Sequence, residues 1–217
     1  MPATVLDMLN AIEGTLPAID DGTLRLCYAD VQRLVEAERR WLESMRVRRC
    51  ALLAENGASW IVSDLALLAC QAANVPLPPS FTREQTAHVL EDAAIDWVLT
   101  DASEQFTRNH PAYTYVASSH RTGLALLHRD RDPVHGRASI ADIGKITYTS
   151  GSTGNAKGVC LSQSAIQSVT RTRTTPPCVA IRSDSSAWCS CSKARVSRSH
   201  ATLPIEFKRR CSCRTKP

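Results

Sequence analysis

Hydrophobic positions along this chain fall into blocks whose period changes from helical to alternating and back. Between residues 29 and 45, Val31, Leu34, Val35, Trp41, Leu42 and Met45 recur at helical spacing, with Glu36, Glu38, Arg39, Arg40 and Glu43 filling the other face. This predicts an amphipathic helix packed on one side. Residues 50–54 read as a short buried strand, Asn56-Gly57 as a turn, and 60–73 as a helix that is apolar over most of its surface. Val75-Pro76-Leu77 resumes extended structure. Thr82 and Gln85 form a capping box that opens a helix over 83–94, and a strand follows over 96–100. Further strands are predicted at 113–116 and 145–148, and the apolar spacing of 159–169 is compatible with a helix. Residues 121–139, carrying Arg, His and Asp, read as a solvated connecting loop. Strands alternating with helices in this way predict an α/β fold, with a mostly parallel sheet flanked by helices.

Composition divides the chain in two. Residues 1–169 carry a net charge of −4, and residues 170–217 carry +9, which together give the overall +5. Five of the nine cysteines, Cys178, Cys189, Cys191, Cys211 and Cys213, also crowd into that last stretch. The break predicts one folded unit over 1–170 and a basic Cys/Ser/Arg-rich tail over 171–217, with neither helical nor strand periodicity, expected to be disordered. Two functional readings of the tail are a metal knuckle built on its Cys-Ser-Cys pairs with Cys178 or His200, and a nucleic-acid arm around Lys208-Arg209-Arg210. Cys-x-Cys spacing fits zinc poorly, and aromatic interleaving is missing, so nucleic acid is not the expected partner. A reading-frame change explains more, because Arg-, Ser-, Cys- and Pro-rich text is what the wrong frame of a GC-rich coding sequence gives. No signal-peptide pattern opens the chain, and the longest apolar run, 61–73, is interrupted by Ser63, Asp64 and Gln71. It is too short to span a bilayer, so the expectation is a cytoplasmic protein with no membrane span.

Chemistry concentrates at Thr149-Ser150-Gly151-Ser152-Thr153-Gly154-Asn155-Ala156-Lys157-Gly158. Glycines allow a tight turn that aims N–H groups into one concavity, hydroxyls add donors for phosphate oxygens, and Lys157 adds a mobile positive charge. Placed between the strand 145–148 and the helix 159–169, the segment suits a phosphate bound at a helix start. Its spacing is neither that of the common nucleotide loop, where Gly-Lys-Ser/Thr closes the motif, nor that of the dinucleotide fingerprint. Elsewhere, His88, His110, His120, His128 and His135 lie in polar stretches and read as solvated. Asp101 and Asp142 have no partner that spacing identifies, and Trp41, Trp60 and Trp97 read as core.

Tyr148 through Gly154, followed by Lys157-Gly158-Val159, resembles the signature of the adenylate-forming (AMP-binding) ligases, nearest to the acyl-CoA synthetases and long-chain fatty acid CoA ligases. Leu52 to Gly57, Ala72 to Pro78 and 82–101 look like the opening of such an enzyme, so the likeness covers roughly residues 20 to 170. Ala156 stands where a proline is usual, which implies a less rigid loop end, and Cys160 is a second departure.

The resemblance implies ATP-dependent activation of a carboxylic, fatty acid to an acyl-adenylate and then to acyl-CoA, with ATP, Mg²⁺ and coenzyme A taking part. It implies that Ser150, Ser152, Thr153 and Lys157 bind β/γ oxygens, that Gly151 and Gly154 permit close approach, and that Thr149 adds a contact. The family's later motifs for adenine, ribose and the adenylation lysine find no match after residue 158. The expectation is an N-terminal fragment that keeps the pyrophosphate loop, holds no catalytic residue and is inactive alone. The alternative is a non-enzymatic metal- or nucleic-acid-binding protein acting through the tail.

Overall fold

Period-2 and period-3.6 blocks become layers in the computed structural model, which describes residues 5–130, 142–149, 156–171, 178–180 and 206–208. The helix α1 (Val5–Asn10) and a hairpin of β1 (Pro17–Asp20) and β2 (Arg25–Cys27) lead into α2 (Tyr28–Ser44). Next come β3 (Arg49–Leu53), α3 (Ala58–Ala69), β4 (Ala73–Pro76), α4 (Arg83–Asp92), β5 (Trp97–Thr100) and α5 (Ser103–Asn109). Then follow β6 (Thr114–Ser118), β7 (Ala125–His128), β8 (Ile143–Thr149), β9 (Lys157–Ser162) and α6 (Gln163–Arg171), with β10 (Cys178–Ala180) pairing antiparallel to β11 (Glu206–Lys208). That last pairing falls in a tail where the pattern predicts no strand; the rest of 172–217 lies outside the described residues.

Seven strands form one sheet in the order β6-β7-β5-β3-β4-β8-β9. The α/β class is as expected, and the four central strands β5, β3, β4 and β8 are parallel. Both margins are antiparallel, so the sheet is mixed rather than parallel nearly throughout. Successive strand residues feed opposite layers, as the pleat requires. Cys50, Leu52, Leu99 and Leu126 join Val31, Val35, Leu42, Val62 and Leu67 of α2 and α3 on one face. Ala51, Val98, Leu127, Ile146 and Tyr148 join Val89 and Leu90 of α4 and Phe106 of α5 on the other. Each fully buried leucine contributes about 1.5–3 kcal/mol. Trp41, Trp60 and Trp97 pack against the first layer, partly buried.

Helix starts follow their sequence signals. Thr82 Oγ1 accepts from Gln85 N at 3.2 Å while Gln85 Oε1 accepts from Thr82 N at 2.9 Å, the capping box expected at α4. The amino end of α3 takes its cap from far away: Asp21, in the β1–β2 turn, accepts from Ala58 N at 3.0 Å. That bond, with those from Thr23 and Leu24, holds the Asp21 carboxyl at about 2.

Helix ends differ from the pattern, and for one physical reason. The predicted helix 60–73 stops at Ala69 and the predicted helix 83–94 stops at Asp92. Arg46, Gln71 and Ala94 each take positive φ, at 56°, 56° and 49°, just past α2, α3 and α4. Behind each, the next residue donates to the carbonyl five positions back: Val47 to Leu42, Ala72 to Leu67 and Ile95 to Leu90. These are Schellman turns without glycine, each closed by a buried apolar pair.

Two strands correct the sequence reading. Residues 124–127, inside the stretch read as solvated, are buried, and β7 pairs between β5 and β6. A run of four apolar residues is too short to show a period. Residues 159–162, read as the start of a helix, belong to β9, and helix begins only at Gln163.

Candidate functional site

β8 enters the sheet beside β4, in register at Asn74 and Lys145. Lys145 is the nearest cation upstream of the loop, yet it is engaged elsewhere. Its Nζ lies 2.6 Å from Asp64 Oδ1, which also accepts from Asn74 Nδ2 at 2.5 Å, and it sits 5.8 Å from the centre of the Trp60 ring. Among the described residues, the cation at the mouth of the loop is Lys157.

β9 returns antiparallel to β8, placing Thr149 opposite Lys157 and Tyr148 opposite Gly158. Opposed residues in an antiparallel pair project to the same face. Two predicted site residues, Thr149 and Lys157, are thereby brought together, both exposed. Ser150, Gly151, Ser152, Thr153 and Gly154 lie outside the described residues. The setting corrects one expectation: the loop joins two strands of a hairpin, and α6 starts one strand later.

The stems of this hairpin rest on α4. Tyr148 Oη donates to Asp92 Oδ2 at 2.5 Å. Burial first, and the Asp92 carboxylate second, push the Tyr148 phenol well above its ordinary range, so it stays a donor. On the other stem the carbonyl of Ala156, a buried residue, lies 3.2 Å from His88 Nε2. A carbonyl only accepts, so Nε2 carries the proton. A Cβ on Gly158 would stand 2.9 Å from Tyr148 Cζ, so the ring lies across that glycine. Sequence reasoning assigned no role to Tyr148 or Asp92 and read His88 as solvated. The available signal was the i,i+4 spacing of His88 and Asp92 on one helix face.

Other candidates are structural. His128 stacks on Trp97 with ring centroids 4.1 Å apart, and His110 packs on Phe106 at 4.7 Å, so neither is simply solvated. Burial, then the nearby Arg83, push the His110 imidazole down. His120 is exposed, and His135 lies outside the described residues. Asp101 does have a partner, accepting from Glu55 N at 2.8 Å. A cleft of about 230 Å³ opens there, lined among others by Glu55, Phe81, Arg83, Asp101 and His110. Of the tail's candidate ligands, Cys189, Cys191, His200, Cys211 and Cys213 lie outside the described residues. Among the described residues no helix is long and apolar enough to cross a membrane.

The family model for AMP-binding enzymes matches residues 11–196, most of the chain. This chain belongs to the AMP-binding enzyme family. Sequence relatives include a polyketide synthase–nonribosomal peptide synthetase of Aspergillus flavipes, 26% identical over 198 residues that make up 86% of this chain and 5% of that protein. Another is one of the mycosubtilin synthase polypeptides of Bacillus subtilis, 25% identical over 145 residues, which are 65% of this chain and 5% of the relative. The chain thus spans about 5% of the length of these curated relatives.

Among solved structures, O-succinylbenzoate coenzyme A synthetase of Bacillus subtilis, in complex with AMP, superposes with a TM-score of 0.57 at 17% identity, over 75% of this chain and 42% of that one. At such identity the likeness speaks for the fold alone. A malonyl-CoA ligase with methylmalonyl-CoA and AMP bound matches at 28% identity and a TM-score of 0.53, over 72% of this chain and 31% of that one. The α/β unit described here has the fold that these solved structures share over about three quarters of this chain.

Proposed function

We propose that the β8–β9 hairpin is the cradle for the β- and γ-phosphates of ATP in the activation of a carboxylic acid. The observation that carries this reading is the pairing of Thr149 with Lys157 at the mouth of a Ser/Thr/Gly loop, both exposed. In the reaction, a carboxylate oxygen attacks the α-phosphorus, the bond to the bridging oxygen breaks, and pyrophosphate leaves carrying the developing charge. Lys157, Ser150, Ser152, Thr153 and the N–H groups around Gly151 and Gly154 bind that charge, and Thr149 adds a hydroxyl. Mg²⁺ bound with the triphosphate would add positive charge at the same oxygens.

The narrower proposal is a fatty acid passed on to coenzyme A in the cytoplasm; the coenzyme A step has support in the malonyl-CoA ligase among the structural neighbours. Peptide synthetases among the sequence relatives favour an amino acid as the second reading. We propose that these 217 residues bind the triphosphate without completing the adenylate, because the family's adenine, ribose and catalytic-lysine motifs find no match after residue 158. For 171–217 we propose a segment foreign to the ligase, on its +9 charge and five cysteines, although the family match runs on to 196. Reading codons 165–217 in all three frames tests this. Ligase motifs resuming in another frame are expected, and an intact frame shared with relatives would sink it.

Acid-dependent pyrophosphate exchange with panels of fatty and amino acids tests the function. No exchange above background is expected from this chain, while it binds MgATP and Lys157→Ala weakens that binding about tenfold or more, as expected for one charge-assisted contact. Exchange above background would refute the inactive reading, and MgATP affinity unchanged by Lys157→Ala would refute the cradle.

A further inference from the structure

Both residues that flank the paired site positions are tied to one helix. Tyr148 immediately precedes Thr149 and donates to Asp92; Ala156 immediately precedes Lys157 and accepts from His88. His88 and Asp92 are one turn apart on α4, about 6 Å along its axis. One helix face therefore holds the two ends of the loop.

We propose that His88 and Asp92 are positioning residues for the phosphate loop, acting through Ala156 and Tyr148, so that α4 sets the spacing and the outward aim of Thr149 and Lys157. The inference rests on the cradle reading and adds what holds the two stems from which Thr149 and Lys157 project.

Three observations support it. Strand residues alternate sides, so holding Tyr148 against α4 turns Thr149 to the opposite face, the one it shares with Lys157. The Tyr148 ring is confined between Gly158 and α4, because even a methyl on Gly158 would stand 2.9 Å from Cζ and 3.1 Å from the phenol oxygen. Ile146 and Tyr148 belong to the same buried layer as Val89 and Leu90, so the contact is continuous with a packed core. On the α2–α3 side of the sheet, by contrast, Thr147, Thr149, Lys157, Val159 and Leu161 are exposed. Among the described residues, the bonds that tie the loop's ends to a helix come from α4. A triphosphate spans several donors, and ordering them before it binds removes part of the entropy cost of binding.

Titration calorimetry of MgATP and of inorganic pyrophosphate into the whole chain tests the proposal, using wild type, Tyr148→Phe, Asp92→Ala, Asp92→Asn, His88→Ala, His88→Gln and the double variant Tyr148→Phe/Asp92→Ala. Tyr148→Phe keeps the ring and removes only the donor, so the fold is retained, and near-ultraviolet dichroism at the titration temperature checks that it is. Tyr148→Phe and Asp92→Ala are each expected to weaken both ligands about five- to tenfold. The double variant should be no worse than either single one, because both remove the same bond. Asp92→Asn and His88→Gln, which keep an acceptor and a donor respectively, should restore affinity to within about twofold.

A purely structural role would lower the melting temperature and leave the affinity of the folded protein unchanged, which overturns the proposal. Additive losses in the double variant overturn it as well. If Lys157→Ala abolishes binding while the α4 variants bind like wild type, the cradle stands and the clamp falls. If wild type itself shows no affinity for either ligand, both fall together.

Discussion

The sheet ends in an antiparallel hairpin at each margin, and the two hairpins are built to opposite purposes. In β6–β7 the inner strand is buried on both faces, and its turn is locked from below. Glu38, fully buried on α2, accepts from Ser119 Oγ at 2.5 Å and from Thr122 Oγ1 at 3.3 Å, so the turn's hydroxyls are absorbed by the fold. In β8–β9 the outer strand is exposed along nearly its whole length, and Thr149 and Lys157 face solvent at the mouth of the loop. Hydroxyls thus occur at both margins, but those of the β6–β7 turn satisfy a carboxylate of their own protein, while that of Thr149 faces outward beside Lys157. A hydroxyl already bonded inside has nothing to offer a ligand.

The contrast breaks first in the core. Leu126→Ala in β7 is expected to cost about 2–5 kcal/mol in denaturant unfolding, because Leu126 is fully buried between two layers. Leu161→Ala in β9, where the side chain is 39% exposed, should stay within about 0.5 kcal/mol. Equal costs would mean that β9 is covered in solution and that the margins are alike.

A smaller effect is expected at the stem. Gly158→Ala places a methyl against the Tyr148 ring and should destabilise by about 1–3 kcal/mol, while weakening MgATP binding through the displaced stem. A neutral result in both measurements would show that the ring moves freely and that α4 does not hold it.

The smallest change sharpens the other margin. Burial is the main influence on Glu38 and pushes its carboxyl above the usual range, against the lowering effect of Ser119 and Thr122. The folded state therefore holds this proton more tightly than the unfolded chain. That stabilisation is complete below the ordinary carboxylate value of 4.5 and is lost as pH rises through the elevated folded value. Glu38→Gln, which does not ionise, should gain stability over wild type toward neutral pH and lose the advantage at acid pH. A stability difference that does not vary with pH would show that Glu38 keeps its charge when folded.

Much of this contrast was open to view in the residues before any coordinates. The loop 149–158 announces itself because its glycines, hydroxyls and lysine are adjacent in the chain. α2 and the capped start of α4 follow from local periodicity and a local hydrogen-bond pair. What escaped depends on partners distant in sequence. The four apolar residues 124–127 that lead into and form most of β7 gain meaning only between β5 and β6, and β9 only beside β8. Val159 and Leu161, followed by Ile166 and Val169, blur an exposed strand into the helix after it. The ends of α3 and α4 were hidden because Gln71 and Ala94 take the place that glycine usually marks. The apolar pairs five apart, Leu42 with Val47, Leu67 with Ala72 and Leu90 with Ile95, were the legible trace of those turns. At the site, the link from His88 and Asp92 to the loop spans 68 and 56 residues, beyond any local pattern.

The central claim is that the β8–β9 mouth binds a polyphosphate through Lys157. The most direct measurement is calorimetric titration of the intact chain with MgATP, inorganic pyrophosphate and AMP, repeated on Lys157→Ala. The account predicts that MgATP and pyrophosphate bind wild type more tightly than AMP, and that Lys157→Ala removes this preference by weakening the first two about tenfold or more. Binding of AMP as tight as that of MgATP, with no change on Lys157→Ala, would contradict it.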